Sequence, residues 1–373
     1  MERLEKSQID YFLIAIIILL IGVGITILFS ASYYHADKLG RDPQYFFHKQ
    51  LIWLVLGSLA AFISSRLSLS LLKKLIPLII LFALGISFFP FIPTLGKSIN
   101  NARRWIFFFD YSFQPSELVK FALILYLAYI LSKKQKKIDN ALNTILPPFV
   151  VVLIFVGVTF LQNDLSTAAF IMFIALSMFF IAKVPLVYFF YLGTTLIPLG
   201  IIIFFTKTYW VEKLMIFFNP QRDPQGAGYQ IIASRATLIN GGLLGRGWGM
   251  GIQKKYVPEA DSDFIFSVAG EEMGFLGLIF IIILYLFFAV RGYKIALKSK
   301  DYFTFYLAFG ITSSIFIQAL LNMFVVTGLM PATGIPLPFF SLGGSSILMT
   351  LIMCGLLINL SRMINKKSEA LYG

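Results

Sequence analysis

The chain has 373 residues, of which 58% are hydrophobic, 16% aromatic and 13% charged, where a soluble domain has roughly 45–50% apolar and 25% charged residues. That composition excludes a soluble domain and a disordered chain, and describes a polytopic membrane protein. The net charge of +13 does not point to nucleic acid, because the basic residues stand in short clusters between apolar runs, a pattern that orients membrane proteins and contacts anionic lipid. A single Cys, Cys354, leaves no intrachain disulfide and no thiolate metal cluster, and two His, His35 and His48, are too few for a histidine-built metal site.

A span needs about 20 apolar residues to cross the hydrocarbon layer. Runs of this kind fall at 11–32, 51–66, 74–92, 117–132, 145–162, 166–183, 187–206, 264–290, 303–328 and 343–361. The expected architecture is therefore all-α, with ten transmembrane helices in one integral membrane domain over 1–373. The first run, Tyr11 to Ser32, is too long for a signal h-region and follows acidic residues, so it reads as a retained span. An even count puts both termini on one side. The inner segments of an N-in, C-in chain collect Arg3, Lys6, Arg66, Lys73, Lys74, Lys133, Lys134, Lys136, Lys137, Lys183, Arg291, Lys294 and Lys298, which favours that orientation. Acidic residues gather instead on outer segments or within spans. The segment 207–262 becomes a large extracytoplasmic loop between helices seven and eight, and long ordered loops are usually functional.

Five segments could carry chemistry. Asn100 to Phe121 sets Arg103 and Arg104 beside Trp105, and guanidinium forks suit phosphate or carboxylate. Pro115 to Glu117 then starts a helix on which Glu117 and Lys120, at i and i+3, can pair. The plainer alternative is an interfacial Trp/Arg anchor with a structural ion pair. Asp164, in the tight turn LQNDLST, is either functional or the N-cap of the next helix. Gly241 to Tyr256 is glycine-rich but stands in no βαβ unit, so a nucleotide loop is rejected; Arg246 and Lys254 there make a basic outer surface. In Pro258 to Gly277, Glu259, Asp261 and Asp263 meet the start of span eight, with Glu271 and Glu272 about two turns inside it and Gly270 and Gly274 forming a small-residue helix seam. A carboxylate at this lip can act as general base toward a lipid headgroup hydroxyl; capping by Asp263 and structural pairing of the glutamates is the alternative. Thr327 to Ser346 holds Pro331, Pro336 and Pro338, so it is irregular or re-entrant backbone. Ser341, Ser345 and Ser346 offer hydroxyls there, and no nearby base supports a nucleophilic serine.

Taken in order, ARRW (Ala102–Trp105), QPSE..K (Gln114–Lys120), Q.DLST (Gln162–Thr167), DPQG.GYQ (Asp223–Gln230), GRG.G...QK (Gly245–Lys254), PEA.SDFIF (Pro258–Phe266) and TGIPLPF.S.GGSS (Thr333–Ser346) resemble the SEDS family, the FtsW/RodA proteins of bacterial shape, elongation, division and sporulation. The likeness covers nearly the whole chain, and the outer loop is closer to the FtsW branch. It implies a peptidoglycan glycosyltransferase of the outer face of the cytoplasmic membrane that polymerises lipid II into β-1,4 glycan with inversion, releasing undecaprenyl pyrophosphate. The implied partners are a class B penicillin-binding protein and other divisome or elongasome membrane proteins. The implied catalytic residue is Asp263. Arg103, Arg104, Glu117, Lys120, Asp164, Arg246, Lys254, Glu259 and Ser341 are the substrate-binding candidates. A divalent cation, Mg or Mn, is the alternative to arginine at the pyrophosphate. Asn163, Leu342 and Asp261 depart from the family's usual residues. A lipid II flippase is the rival function; a non-catalytic scaffold would leave the buried charges unexplained.

Overall fold

The computed structural model describes residues 9–99, 102–108, 110–135, 145–206, 208–226 and 228–372. Arg3, Lys6, Asn100, Asn101, Lys136 and Lys137 lie outside them. The helices are α1 (Tyr11–Lys38), α2 (Tyr45–Arg66), α3 (Leu69–Ser87), α4 (Pro115–Lys134), α5 (Leu146–Leu161), α6 (Leu165–Ile181), α7 (Leu186–Thr206), α8 (Thr208–Phe218), α9 (Tyr229–Gly241), α10 (Ile265–Lys298), α11 (Tyr302–Val326) and α12 (Gly344–Tyr372). Among the described residues seven of them, α1 to α4 and α10 to α12, are long and apolar enough to cross a membrane. Helices α5 and α6 are apolar but only 16 and 17 residues long; with α7 they occupy the places of the fifth to seventh expected spans.

Local sequence sets the helix ends. Asp10 caps α1 by accepting the Leu13 N–H at 3.0 Å, and Asp164 caps α6 by accepting that of Thr167 at 3.2 Å. Pro115 opens α4, where the missing N–H costs nothing. Helices α4, α11 and α12 are buried on most sides and form the centre, whereas α2 and α3 turn most of their surface outward. Buried phenylalanines such as Phe155, Phe264 and Phe288 fill the space between them.

Two expectations need correction. The chain is not wholly helical: β1 (Gly96–Ile99), β2 (Ala102–Phe108) and β3 (Tyr111–Phe113) form an antiparallel sheet in the order β1-β2-β3. Its register pairs Lys97 with Trp105 and Ile106 with Phe113. The run from Trp105 to Phe108 is aromatic and β-branched, the composition that suits a pleated surface. The expected helix seam holds only at Gly270, where a Cβ would meet Leu238 of α9 at 2.5 Å; Gly274 takes φ 68° and ψ −171° and breaks α10. The prolines of 331–338 do end regular structure: the chain runs without helix or strand from Pro331 to Leu337.

Candidate functional site

The acidic loop enters the site through a strained turn. Glu259 sits at φ 54°, and its carbonyl accepts the N–H groups of Ser262 and Phe264 at 3.0 and 3.2 Å. Three successive carbonyls of this loop are then held by different donors. Asp261 O accepts the Leu342 N–H at 2.7 Å, Ser262 O the Ser341 hydroxyl at 2.7 Å, and Asp263 O the Asn322 amide at 2.8 Å. The Asp263 carboxyl does not cap α10, whose N-cap residue is Phe264 with no side-chain bond. Its Oδ1 accepts from the Ser262 hydroxyl at 3.1 Å, and its Oδ2 lies beside Gly334.

Opposite stands Arg104. Gly334, at φ 72°, lies between them: a Cβ there would sit 3.3 Å from Asp263 Oδ2 and 3.6 Å from Arg104 Nη1. The guanidinium also reaches Asp164 Oδ2 at 3.5 Å, where the Gln114 amide donates at 3.3 Å. Its Nε is buried with no partner, as is the hydroxyl of Thr333 beside Gly334. Burial pushes the Asp263 carboxyl above its ordinary range, while Arg104, the Ser262 hydroxyl and Lys213 pull it back. A half-buried carboxylate with a raised pKa facing a fixed cation is equipped to take a proton beside developing negative charge.

A buried polar network braces this arrangement. Lys120 Nζ bonds Glu117 Oε1 and Gln318 Oε1, both at 2.8 Å, and the Gln318 amide donates to Pro336 O at 2.9 Å. Asn322 donates to Ile335 O at 2.9 Å. Ser341 is committed on both sides, accepting the Leu337 N–H at 2.8 Å while donating to Ser262.

The candidates thus separate. Asp263, Arg104 and Asp164 converge, with Glu117, Lys120 and Ser341 as their support. Arg103 is exposed on the face of β2 opposite to Arg104, as neighbours on a strand must be; its backbone N–H donates to Gln162 O at 3.0 Å. Lys254 is fully buried against Glu272 at 2.6 Å. Arg246 holds Asn240 through O at 3.0 Å and Oδ1 at 2.6 Å. Glu259 lines a separate cavity of about 200 Å3 with His35, Lys38 and Asp261. Among the described residues no group of three or more His, Cys, Asp or Glu is arranged to hold a metal ion. Sequence reasoning missed Gln318, Asn322, Gly334 and Lys213. Polar side chains at i and i+4 within an apolar helix were a signal for the first two; an isolated Lys in a long loop gave none.

Comparison with known proteins finds relatives over nearly the whole chain. The FtsW/RodA/SpoVE cell cycle protein family matches residues 11–366. The probable peptidoglycan glycosyltransferase FtsW of Borreliella burgdorferi is 38% identical over 96% of this chain and 98% of its own. The stage V sporulation protein E of Bacillus subtilis is 35% identical over 96% and 98%. A chain of a solved peptidoglycan synthase complex superposes with a TM-score of 0.78 at 29% identity, covering 95% of this chain and 98% of that one. The rod shape determining protein RodA of Thermus thermophilus gives 0.69 at 26% identity over 95% and 97%.

Proposed function

The chain belongs to the FtsW/RodA/SpoVE family of cell cycle proteins, and on that premise we propose that it works as a peptidoglycan glycosyltransferase polymerising lipid II at the outer face of the bacterial cytoplasmic membrane. The glycosyltransferase activity is that of relatives matching almost the whole chain at 36 to 38% identity. In this reading the chain is one multi-pass domain of ten spans, N-in and C-in, with the site opening outward. The observation that carries the reading is the facing of Asp263 and Arg104 across Gly334.

Lipid II presents its sugar α-linked to a pyrophosphate, and the product is β-1,4 linked, so a single displacement with inversion accounts for the change. Asp263 takes the proton of the acceptor 4-hydroxyl as its oxygen bonds to the donor's anomeric carbon. The bond from that carbon to the pyrophosphate oxygen breaks, and undecaprenyl pyrophosphate leaves with the electron pair. Arg104, preset by Asp164, faces the growing negative charge, and fixed cations in a dry site act strongly on such charge. Arg103 serves the approach of the headgroup from the exposed side of the strand. The structural commitments of Arg246 and Lys254 argue for roles in the loop and not on the pyrophosphate. Among the described residues the donor set does not amount to a protein-built cation site.

The partner we propose is a class B penicillin-binding protein, within the division or elongation machinery. This rests on the family's implication and on likeness to a chain of a peptidoglycan synthase complex. The test is lipid II polymerisation by the purified protein, alone and with its partner carrying an inactive transpeptidase. A glycan ladder lost with Asp263→Ala, in a variant that still inserts and unfolds as the parent does, supports the reading. A ladder that survives Asp263→Ala overturns the assignment of the base. No ladder, with lipid II crossing proteoliposomes, would make the chain a flippase.

A further inference from the structure

The glycine-rich stretch after α9 and the two glutamates of α10 have no part in the reaction, yet they form one built element. The backbone of 242–247 runs against the broken turn of α10. Arg246 N–H donates to Glu271 O at 2.9 Å and Gly247 N–H to Glu272 O at 3.0 Å. Beyond the break, Phe275 N–H donates to Gly242 O at 2.9 Å and Leu276 N–H to Leu243 O at 3.1 Å. Such contact requires bare backbone on both sides: a Cβ on Gly274 would meet Leu243 O at 2.6 Å, and one on Gly245 would meet Glu272 C at 2.6 Å. The carboxylate of Glu271 then gathers the N–H groups of Ile252 and Gln253 at 2.8 Å and of Lys254 at 3.0 Å, with the Asn240 amide at 2.7 Å. Glu272 takes Lys254 Nζ at 2.6 Å and the hydroxyl of Ser30. The irregular backbone is partnered at Gly242, Gly245 to Gly247, Met250 and Ile252 to Lys254, which ties the base of the element to α10.

The outside of this element is apolar except for Arg246, which is exposed and turned back onto Asn240. Ile239, Leu243, Leu244, Trp248, Met250 and Ile252 are all exposed, Ile239 and Leu244 at 80%. The surface is continuous with Phe275, Leu276 and Phe280 on the outward face of α10. Its depth can be read along that helix. Arg291, bonded to Asp10 at 2.7 Å, and Lys294 and Lys298 beyond it mark one boundary of the membrane. About 20 residues of helix cross the hydrocarbon, which leads back from Arg291 to Glu271 and Glu272. The element bonded at 271–276 therefore sits at the far boundary and just inside it.

We propose that residues 239–252 form a re-entrant element whose apolar tip is seated among the acyl chains of the leaflet, held there by Glu271 and Glu272. The occupant of the exposed apolar face is bilayer lipid. This argues from the multi-pass architecture alone and is independent of the chemistry assigned to Asp263.

The test uses the full chain in phospholipid nanodiscs, with Cys354→Ala and one introduced cysteine carrying an environment-sensitive fluorophore. Leu244→Cys probes the tip, Gln221→Cys the watery part of the outer loop, and Phe287→Cys the lipid face of α10. The tip label is expected to be quenched by doxyl-lipids as the Phe287 label is, and by aqueous iodide about threefold less than the Gln221 label. Iodide quenching equal to that at Gln221 overturns the proposal, and is also the result for a face that waits for a protein partner. Adding Glu271→Gln, whose amide cannot serve three N–H donors, should bring the tip label into iodide's reach. An unchanged label there overturns the anchoring role, and the melting temperature of the same discs distinguishes release from global unfolding.

Discussion

At the scale of single residues, the site turns on how Asp263 is kept both basic and ionisable. Because burial raises its pKa, activity should fall on the acid side at a pH above the ordinary aspartate value of about 3.9, the carboxylate being lost as pH drops through the raised pKa. Arg104 opposes that shift, so Arg104→Gln should move the acid limb of kcat/KM upward as well as lower its plateau. A limb that moves down or stays would mean that Arg104 does not act on the Asp263 carboxyl. Gly334→Ala places a methyl 3.3 Å from Asp263 Oδ2 at φ 72°. About 1 kcal/mol of stability and at least tenfold of activity should be lost, read by melting temperature and turnover together. Asp263, Asp164 and the Glu117–Lys120 pair were legible in the sequence because charge amid apolar residues is costly and must have a reason. Gly334 was not, since its meaning lies in two side chains 71 and 230 positions away.

At the scale of elements, the irregular run 331–337 is positioned by its neighbours more than by itself. Gln318 and Asn322 of α11 hold Pro336 and Ile335, and Lys120 links Gln318 to Glu117. Glu117→Gln or Lys120→Met alone leaves a buried charge without its partner, at about 3–5 kcal/mol each. The double variant should be less destabilised than the sum, and thermal unfolding of the four proteins measures the difference; additive losses would mean the two do not interact. Asn322→Leu strands two carbonyls, one of them on Asp263, so it should reduce kcat more than it raises KM. The proline content announced this irregular run, whereas the sheet was hidden. Strands of three, four and seven residues leave too short a pattern, and Trp105 to Phe108 reads equally as an interfacial anchor. Glycines at i and i+4 read as a helix seam or a helix break with equal ease. Only the backbone lying against Gly274 decides for the break.

At the scale of the whole molecule, the central α4 and α11 brace the site, α12 adds the Ser345 hydroxyl that accepts the Gln114 N–H at 3.3 Å, and α2 and α3 turn outward. The proposed ten spans put both ends of the chain on one side, so reporters fused at either end should respond only from the cytoplasm; reporters on opposite sides would mean an odd count. The order of the fasteners has a further consequence. Asp263 is synthesised well before Asn322, Ser341 and Leu342, which immobilise its loop, and chains acquire structure from the N-terminus as they emerge. A nascent chain that has made most of its helices thus holds Asp263 unseated, and the loop is fastened only once the segment up to Leu342, just before the final helix, has been made. Chains ending before Leu342 should therefore be inert, which polymerisation by truncated and full-length protein compares directly.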